Sequence, residues 1–347
     1  MATVTPTGVW TLRLGAMSLL LHRRNWLMFA LLSVVLALLV VLAISLGSGN
    51  MGVRDVLATL AGNGSKLHEI MVFKIRMPRV AAAIVAGFAM GMAGCLIQTL
   101  VRNRLATPDM VGVNEGASLA VIGFALYLTL GDWPWWASPL GALLAAAALF
   151  TLCRRPGEQG YLFIIIGIAV SELLGAIGDF AMSTRPLVHL GSIYLWSMGH
   201  FAGTGYRTVL PIAALLLALC PLMAWLARPL ALLRFGDATA QNLGVRVPLI
   251  QLGVLGLAIL VAALGTAIGG PVVFIAMAAP ILASWLARGN LAPIWLAALC
   301  GALLLLGSDT LVRLLAQPEE IPTGTMTRML GGLLLLGLLL RDRRESD

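Results

Sequence analysis

The sequence predicts an all-α polytopic membrane protein of about ten transmembrane helices, on three observations. Of 347 residues, 60% are hydrophobic and only 11% charged, whereas a soluble domain is nearer half apolar and a quarter charged. The apolar residues fall into runs of about twenty, the length that crosses a bilayer as a helix. Most charges stand in the linkers between those runs. The net charge of +8 therefore reads as Lys and Arg retained on the cytoplasmic side and gives no signal for nucleic acid.

The ten runs are roughly 27–47, 80–101, 112–131, 137–153, 161–182, 207–227, 249–268, 272–288, 293–312 and 324–340. The first follows a basic leader, residues 1–26, whose segment WTLRLGAMSLLLHRR is weakly amphipathic. That segment suits either a surface-lying helix or a disordered leader, and no cleavage pattern follows the first run. The second run opens at Arg76-Met77-Pro78-Arg79, where the proline predicts an extended turn presenting both arginines. Gly87, Gly91 and Gly94 within it predict close approach of a neighbouring helix. The polar loop VRNRLATPD leads to the third run, and the aromatic turn 131–136 leads to the fourth. An Arg154–Gly160 loop precedes the fifth. Residues 184–200 are too polar and broken to span, which predicts a re-entrant or outer helix. The sixth run leads into a polar loop, 234–248. Gly269-Gly270-Pro271 predicts a very tight turn between the seventh and eighth. The ninth ends at Arg313, and the tenth runs into a tail, 341–347.

No internal repeat is evident, so 27–340 reads as one membrane domain. An even number of spans places both termini on one side. With the N-terminus inside, fourteen Lys/Arg fall inside and nine outside, the orientation favoured by the positive-inside rule.

Three groups of residues stand out. Arg76, Arg79 and Arg313 share the outer side. They read either as a patch for carboxylates of an external partner or as interfacial snorkelling. On the inner side, Asp237-Ala238-Thr239-Ala240-Gln241-Asn242-Leu243 reads as a short helix between Gly236 and a capping Gly244. Such a helix suits a groove of a soluble partner or is an ordinary surface helix. Glu115, Glu172, Asp179 and Asp309 lie in or near the spans, where acids are costly. A proton relay and a capping or pore-lining role are both open. On the second run, Met90, Gly94 and Gln98 share one helical side, which makes Met90 and Gln98 candidates for lining a pathway; core packing is the competing reading for Met90.

The four cysteines lie in or at the ends of apolar runs without metal-ligand spacing. The four histidines are scattered, so no metal site is expected. No Gly-x-x-x-x-Gly-Lys-Ser/Thr loop occurs. No catalytic constellation is present, and any ATP and magnesium would be used by another subunit.

At these motifs the chain resembles the FecCD-type permeases, membrane subunits of bacterial ABC importers for iron–siderophore complexes, haem and cobalamin. The matching segments are Arg76 to Arg79, the loop Gln98 to Pro108, PheGlyAspAlaThrAlaGlnAsnLeuGlyVal (235–245), Gly270 to Phe274, and Asp309, Arg313, Glu320, Pro322, Gly324 and Thr327. The resemblance implies the type II importer permease fold, no enzymatic activity or cofactor of its own, and location in the bacterial inner membrane with cytoplasmic termini. It implies docking of a periplasmic binding protein at Arg76, Arg79 and Arg313, and seating of 236–244 in an ABC ATPase. A cytoplasmic gate is implied at Arg102, Asn103, Arg104 and Leu105. The implied partners are a second permease subunit, two ATPase copies and the binding protein. Arg104 replaces a usual Pro, Ile281 and Ser284 replace a usual His and Arg, and Gly331-Gly332 replaces Gly-Ala-Pro. These departures favour a heterodimer and, because heterodimers are frequent among the family's siderophore importers, an iron–siderophore cargo over haem or cobalamin; a proton-coupled secondary transporter using Glu172 or Asp179 is the second alternative. The pathway is expected at the subunit interface, lined by runs such as 80–101 and 161–182, with Met90, Gln98 and Glu172 on it.

Overall fold

The computed structural model describes residues 9–14, 17–47, 51–128, 133–152, 160–184, 190–287, 292–316 and 321–346. Arg154, Arg155, Arg185, Arg288, Glu320 and the Gly131-Asp132 pair lie outside the described residues.

Each of the ten predicted runs falls on a helix. They are α1 (Arg23–Ser45), α4 (Met77–Val101), α5 (Val113–Gly123), α6 (Ala137–Leu152), α7 (Gly160–Ser183), α9 (Tyr206–Leu233), α11 (Val247–Gly269), α12 (Val273–Leu286), α13 (Ile294–Leu315) and α14 (Thr323–Ser346). Between them stand α2 (Val53–Leu60), α3 (Lys66–Glu69), α8 (Gly191–Ser197) and α10 (Asp237–Asn242). The leader departs from the helical expectation. Val9–Leu14 (β1) and Met17–His22 (β2) pair antiparallel, with Val9 opposite His22 and Leu14 opposite Met17. The alternation of Thr11 and Arg13 with Trp10, Leu12 and Leu14 has the period of a strand, which an amphipathic-helix reading overlooks.

The core is built around α4. It packs against α13, α11, α12 and α9, and its buried residues face every direction. Small residues make this possible. A Cβ on Gly91 would stand 2.1 Å from the Ala297 carbonyl oxygen of α13, and one on Gly94 would stand 1.7 Å from that of Ala276 on α12. In lipid, where apolar side chains gain little by leaving the solvent, backbone approach of this kind drives helix association. A second group, α5 with α6 and α7, joins the core through α6 and α11. The face of α7 bearing Ile168, Leu173, Ile177 and Phe180 is exposed.

The Arg76–Arg79 segment is not the extended turn that Pro78 predicts. Met77 sits at φ −61°, ψ −44°, and the chain is helical from Lys66 to Val101 through a π-helical stretch, Ile70–Arg76. Pro78 occupies the first turn after that wide stretch, where its missing N–H costs least. The tight turn at Gly270 is as expected, with φ +84°. The 184–200 region contains α8, held by Ile193 and Trp196, which are buried. His200 N–H donates to the Gly269 carbonyl at 2.7 Å, and Gly324 N–H donates to the Gly199 carbonyl at 2.9 Å. These bonds lock α8 over the α11–α12 turn and the start of α14.

Candidate functional site

At the Arg76 end of α4, three arginines and one aspartate form a buried cluster. A helix leaves its last four carbonyls without partners. Those at the end of α1 are Ala43, Ile44, Ser45 and Leu46, and guanidinium groups satisfy all four. Arg76 Nη1 donates to the Ile44 carbonyl and, at 3.2 Å, to that of Ser45. Arg313 Nη1 donates to Ala43 at 3.0 Å and Leu46 at 3.3 Å. A cation also complements the negative end of the helix dipole there.

Asp309 is the hub. It is fully buried. Arg79 forks onto it, Nε donating to Oδ1 at 3.0 Å and Nη2 to Oδ1 at 2.9 Å. Arg313 Nε lies 3.1 Å from Oδ2, and the Thr323 hydroxyl donates to Oδ1 at 2.9 Å. The cluster thus ties α1, α4, α13 and the start of α14 together. The expectation of three arginines displayed to an external partner is corrected in one respect. Arg76 is buried, and Arg79 and Arg313 keep 13% of their side-chain surface, because each guanidinium is engaged within the chain. Among the described residues the cluster still sets three positive groups against one carboxylate.

At the other end of α4, the loop Arg102–Leu105 is exposed and locally stiff. Asn103 N–H donates to the Gln98 carbonyl at 3.2 Å, and Leu105 N–H donates to the Asn103 side-chain oxygen at 2.9 Å. Arg102 adopts φ 57°, ψ 31°, a left-handed conformation that costs a residue bearing a Cβ roughly 1–2 kcal/mol. The segment 236–244 folds as expected. Gly236 enters at φ +104° and Gly244 leaves at φ +84°. Gly244 N–H donates to the Gln241 carbonyl and Val245 N–H to that of Ala240, the paired bonds of a glycine-terminated helix. Ala240 is buried, while Ala238, Thr239, Gln241, Asn242 and Leu243 face out. Asp237 joins the two segments: Arg102 Nη2 donates to its Oδ1, and Gln251 Nε2 donates to its Oδ2 at 3.1 Å.

The pathway candidates separate. Met90 is buried against Gly265 of α11, so its side chain packs in the core of this chain. Gln98 Nε2 is spent on the Met277 carbonyl of α12 at 3.0 Å. Glu172 lies on the exposed side of α7. A Cβ on Gly175 would stand 3.5 Å from a Glu115 carboxylate oxygen, which places Glu115, Glu172 and Asp179 around one point of the α5–α7 surface. Sequence reading missed Asn114, which donates to Asp109 at 2.9 Å and accepts from Thr266 at 3.3 Å. Nothing in the local pattern marks that set.

Residues 35–341 match the FecCD transport family. The chain belongs to that family. It is 34% identical over 336 residues to the hemin transport permease of Yersinia pestis, covering 91% of this chain and 97% of that one. It is 33% identical over 307 residues to the ferric enterobactin transport permease of Escherichia coli K12, covering 86% and 91%. A vitamin B12 import permease of Vibrio cholerae is 32% identical, covering 80% and 85%. Among solved structures, a metal-chelate type ABC transporter in an inward-facing conformation superposes with a TM-score of 0.76 at 23% identity, covering 91% of this chain and 99% of that chain. The FecCD chain described here is therefore a multi-pass ABC importer permease, and the secondary-transporter reading falls away.

Proposed function

We propose that this permease forms the membrane path of an ATP-driven importer that takes an iron–siderophore complex from a periplasmic binding protein across the bacterial inner membrane to the cytoplasm. The observation that carries the proposal is the family match over 35–341 with a ferric enterobactin permease among the relatives. A haem or cobalamin cargo is the competing reading, favoured by the hemin and vitamin B12 relatives.

The surfaces support the partners of this reading. Exposed carboxylates at Glu172 and Asp179 are costly against lipid, which supports a second permease subunit covering that face, with the path between the two. A heterodimer accords with the departures at Arg104, Ile281 and Ser284. The exposed side of 236–244, which carries Leu243 and has Phe235 beside it, supports seating of one ATPase per permease. At the outer end, the Arg79 and Arg313 side chains, each with part of its surface still accessible, support docking of acidic groups of the binding protein at the rim they form. Arg76 underlies them, positioning the cluster.

Affinity purification of the tagged chain from native membranes, followed by transport assays in proteoliposomes, tests this. A second permease and an ATPase are expected to copurify, and ferric siderophore is expected to outrun haem and cobalamin as cargo. Preferential haem or cobalamin transport would overturn the cargo assignment, and absence of any ATPase would overturn the assembly. Arg79→Glu is expected to slow binding-protein association, because charges at a docking rim steer approach; surface plasmon resonance reads it, and an unchanged on-rate removes the docking role. Ala240→Pro is expected to abolish ATPase copurification, because proline breaks the helix interior.

A further inference from the structure

The two ends of the coupling route are linked by one side-chain pair. We infer that Arg102 and Asp237 form the tether through which displacement of α10 moves the loop 102–105 and, beyond it, α7. The inference rests on the seating of α10 in an ATPase proposed above.

Four observations lead to it. First, the carboxylate of Asp237 is shared: one oxygen accepts from Arg102 at the end of α4, and the other from Gln251 at the start of α11. The residue belongs to the first turn of α10, so a force on α10 reaches both helices. Second, Arg102 is the only described non-glycine residue with positive φ. Glycine relieves such a conformation at no steric cost, yet it has no side chain to reach Asp237. The position holds an arginine whose guanidinium makes that reach.

Third, the loop is built to move as one piece. Its bonds from Asn103 to Gln98 and from Leu105 to Asn103 close a stiff turn, and the chain then enters a short helical turn, Pro108–Val111. That turn packs on α7, where a Cβ on Gly167 would stand 2.2 Å from the Met110 carbonyl oxygen. A shift at Arg102 is thereby passed to the helix that carries Glu172. Fourth, the loop has room to shift. Beside it lies a cavity of about 250 Å³ lined by Gln98, Thr99, Arg102, Arg104, Ile281 and Ser284, which leaves space on that side of the loop.

The pair is 43% and 44% exposed, and exposed ion pairs contribute little to folding. Its removal is therefore read in coupling rather than in stability. The test uses the complete importer in proteoliposomes and compares Arg102→Glu with the exchange Arg102→Glu/Asp237→Arg, reading ATPase copurification, ATP hydrolysis and cargo moved per ATP. The expected result is at least a fivefold drop in cargo per ATP for Arg102→Glu and recovery to within twofold of wild type in the exchange. Wild-type cargo per ATP in Arg102→Glu would overturn the tether. If the exchange fails to bind the ATPase, the pair Arg102→Cys/Asp237→Cys decides, with the four native cysteines replaced by serine. Transport that survives cross-linking supports the tether, and hydrolysis without transport overturns it. Failure of the wild-type chain to hold an ATPase would strike the underlying reading of α10 instead.

Discussion

The two ends of α4 are held in opposite ways. At Arg76 the helix is clamped: Asp309 is fully buried, the Arg79 and Arg313 guanidinium groups close on it, and the carbonyls that end α1 are capped by Arg76 and Arg313. At Arg102, among the described residues, an exposed ion pair joins the helix to α10, beside a cavity. The body of α4 is itself packed on α12 through Gly94 and Gln98, so the lever is the loop that follows the helix, tied to α10 by that pair. The contrast assigns rigidity to the side of the proposed binding-protein dock and freedom to the side of the proposed ATPase contact.

The sharpest way to break this comparison is to remove each carboxylate in turn. Asp309→Asn leaves buried guanidinium groups without compensation and is expected to cost about 3–5 kcal/mol. Thermal denaturation in detergent checks it; a small loss would mean that the clamp is not load-carrying. Packing along the helix comes next. Gly94→Ala drives a Cβ into the Ala276 carbonyl, 1.7 Å away, and overpacking of this kind is expected to cost about 1–3 kcal/mol. A stable Gly94→Ala protein would show that α4 and α12 separate readily. The smallest effect belongs to the mobile end, where Asp237→Asn is expected to lower stability by about 0–1 kcal/mol. A loss matching that of Asp309→Asn would erase the contrast between the two ends.

What was legible in the sequence follows the range of the interactions. Helix positions depend on apolar run length, a local property, and all ten runs appear as helices. Gly87 and Gly91 announce close packing by their spacing, and Gly236 and Gly244 announce the bounds of a short helix. The two ion pairs were not legible as pairs: Arg79 and Asp309 are 230 residues apart, and Arg102 and Asp237 are 135 apart. Only Asp309 and Arg313, four apart on one helix, could have been joined beforehand. Met90 shows the limit of periodicity, which says which residues share a side of α4 but not that α11 covers it. Pro78 shows a local preference overridden by the π-helical stretch before it.

The measurement that tests the lever most directly is amide hydrogen exchange on the assembled importer, with and without trapped ATP. Changed exchange is expected at 102–106 and 237–244 and none at 76–83 and 305–313. Changes centred on 76–83, with 102–106 unaffected, would contradict it.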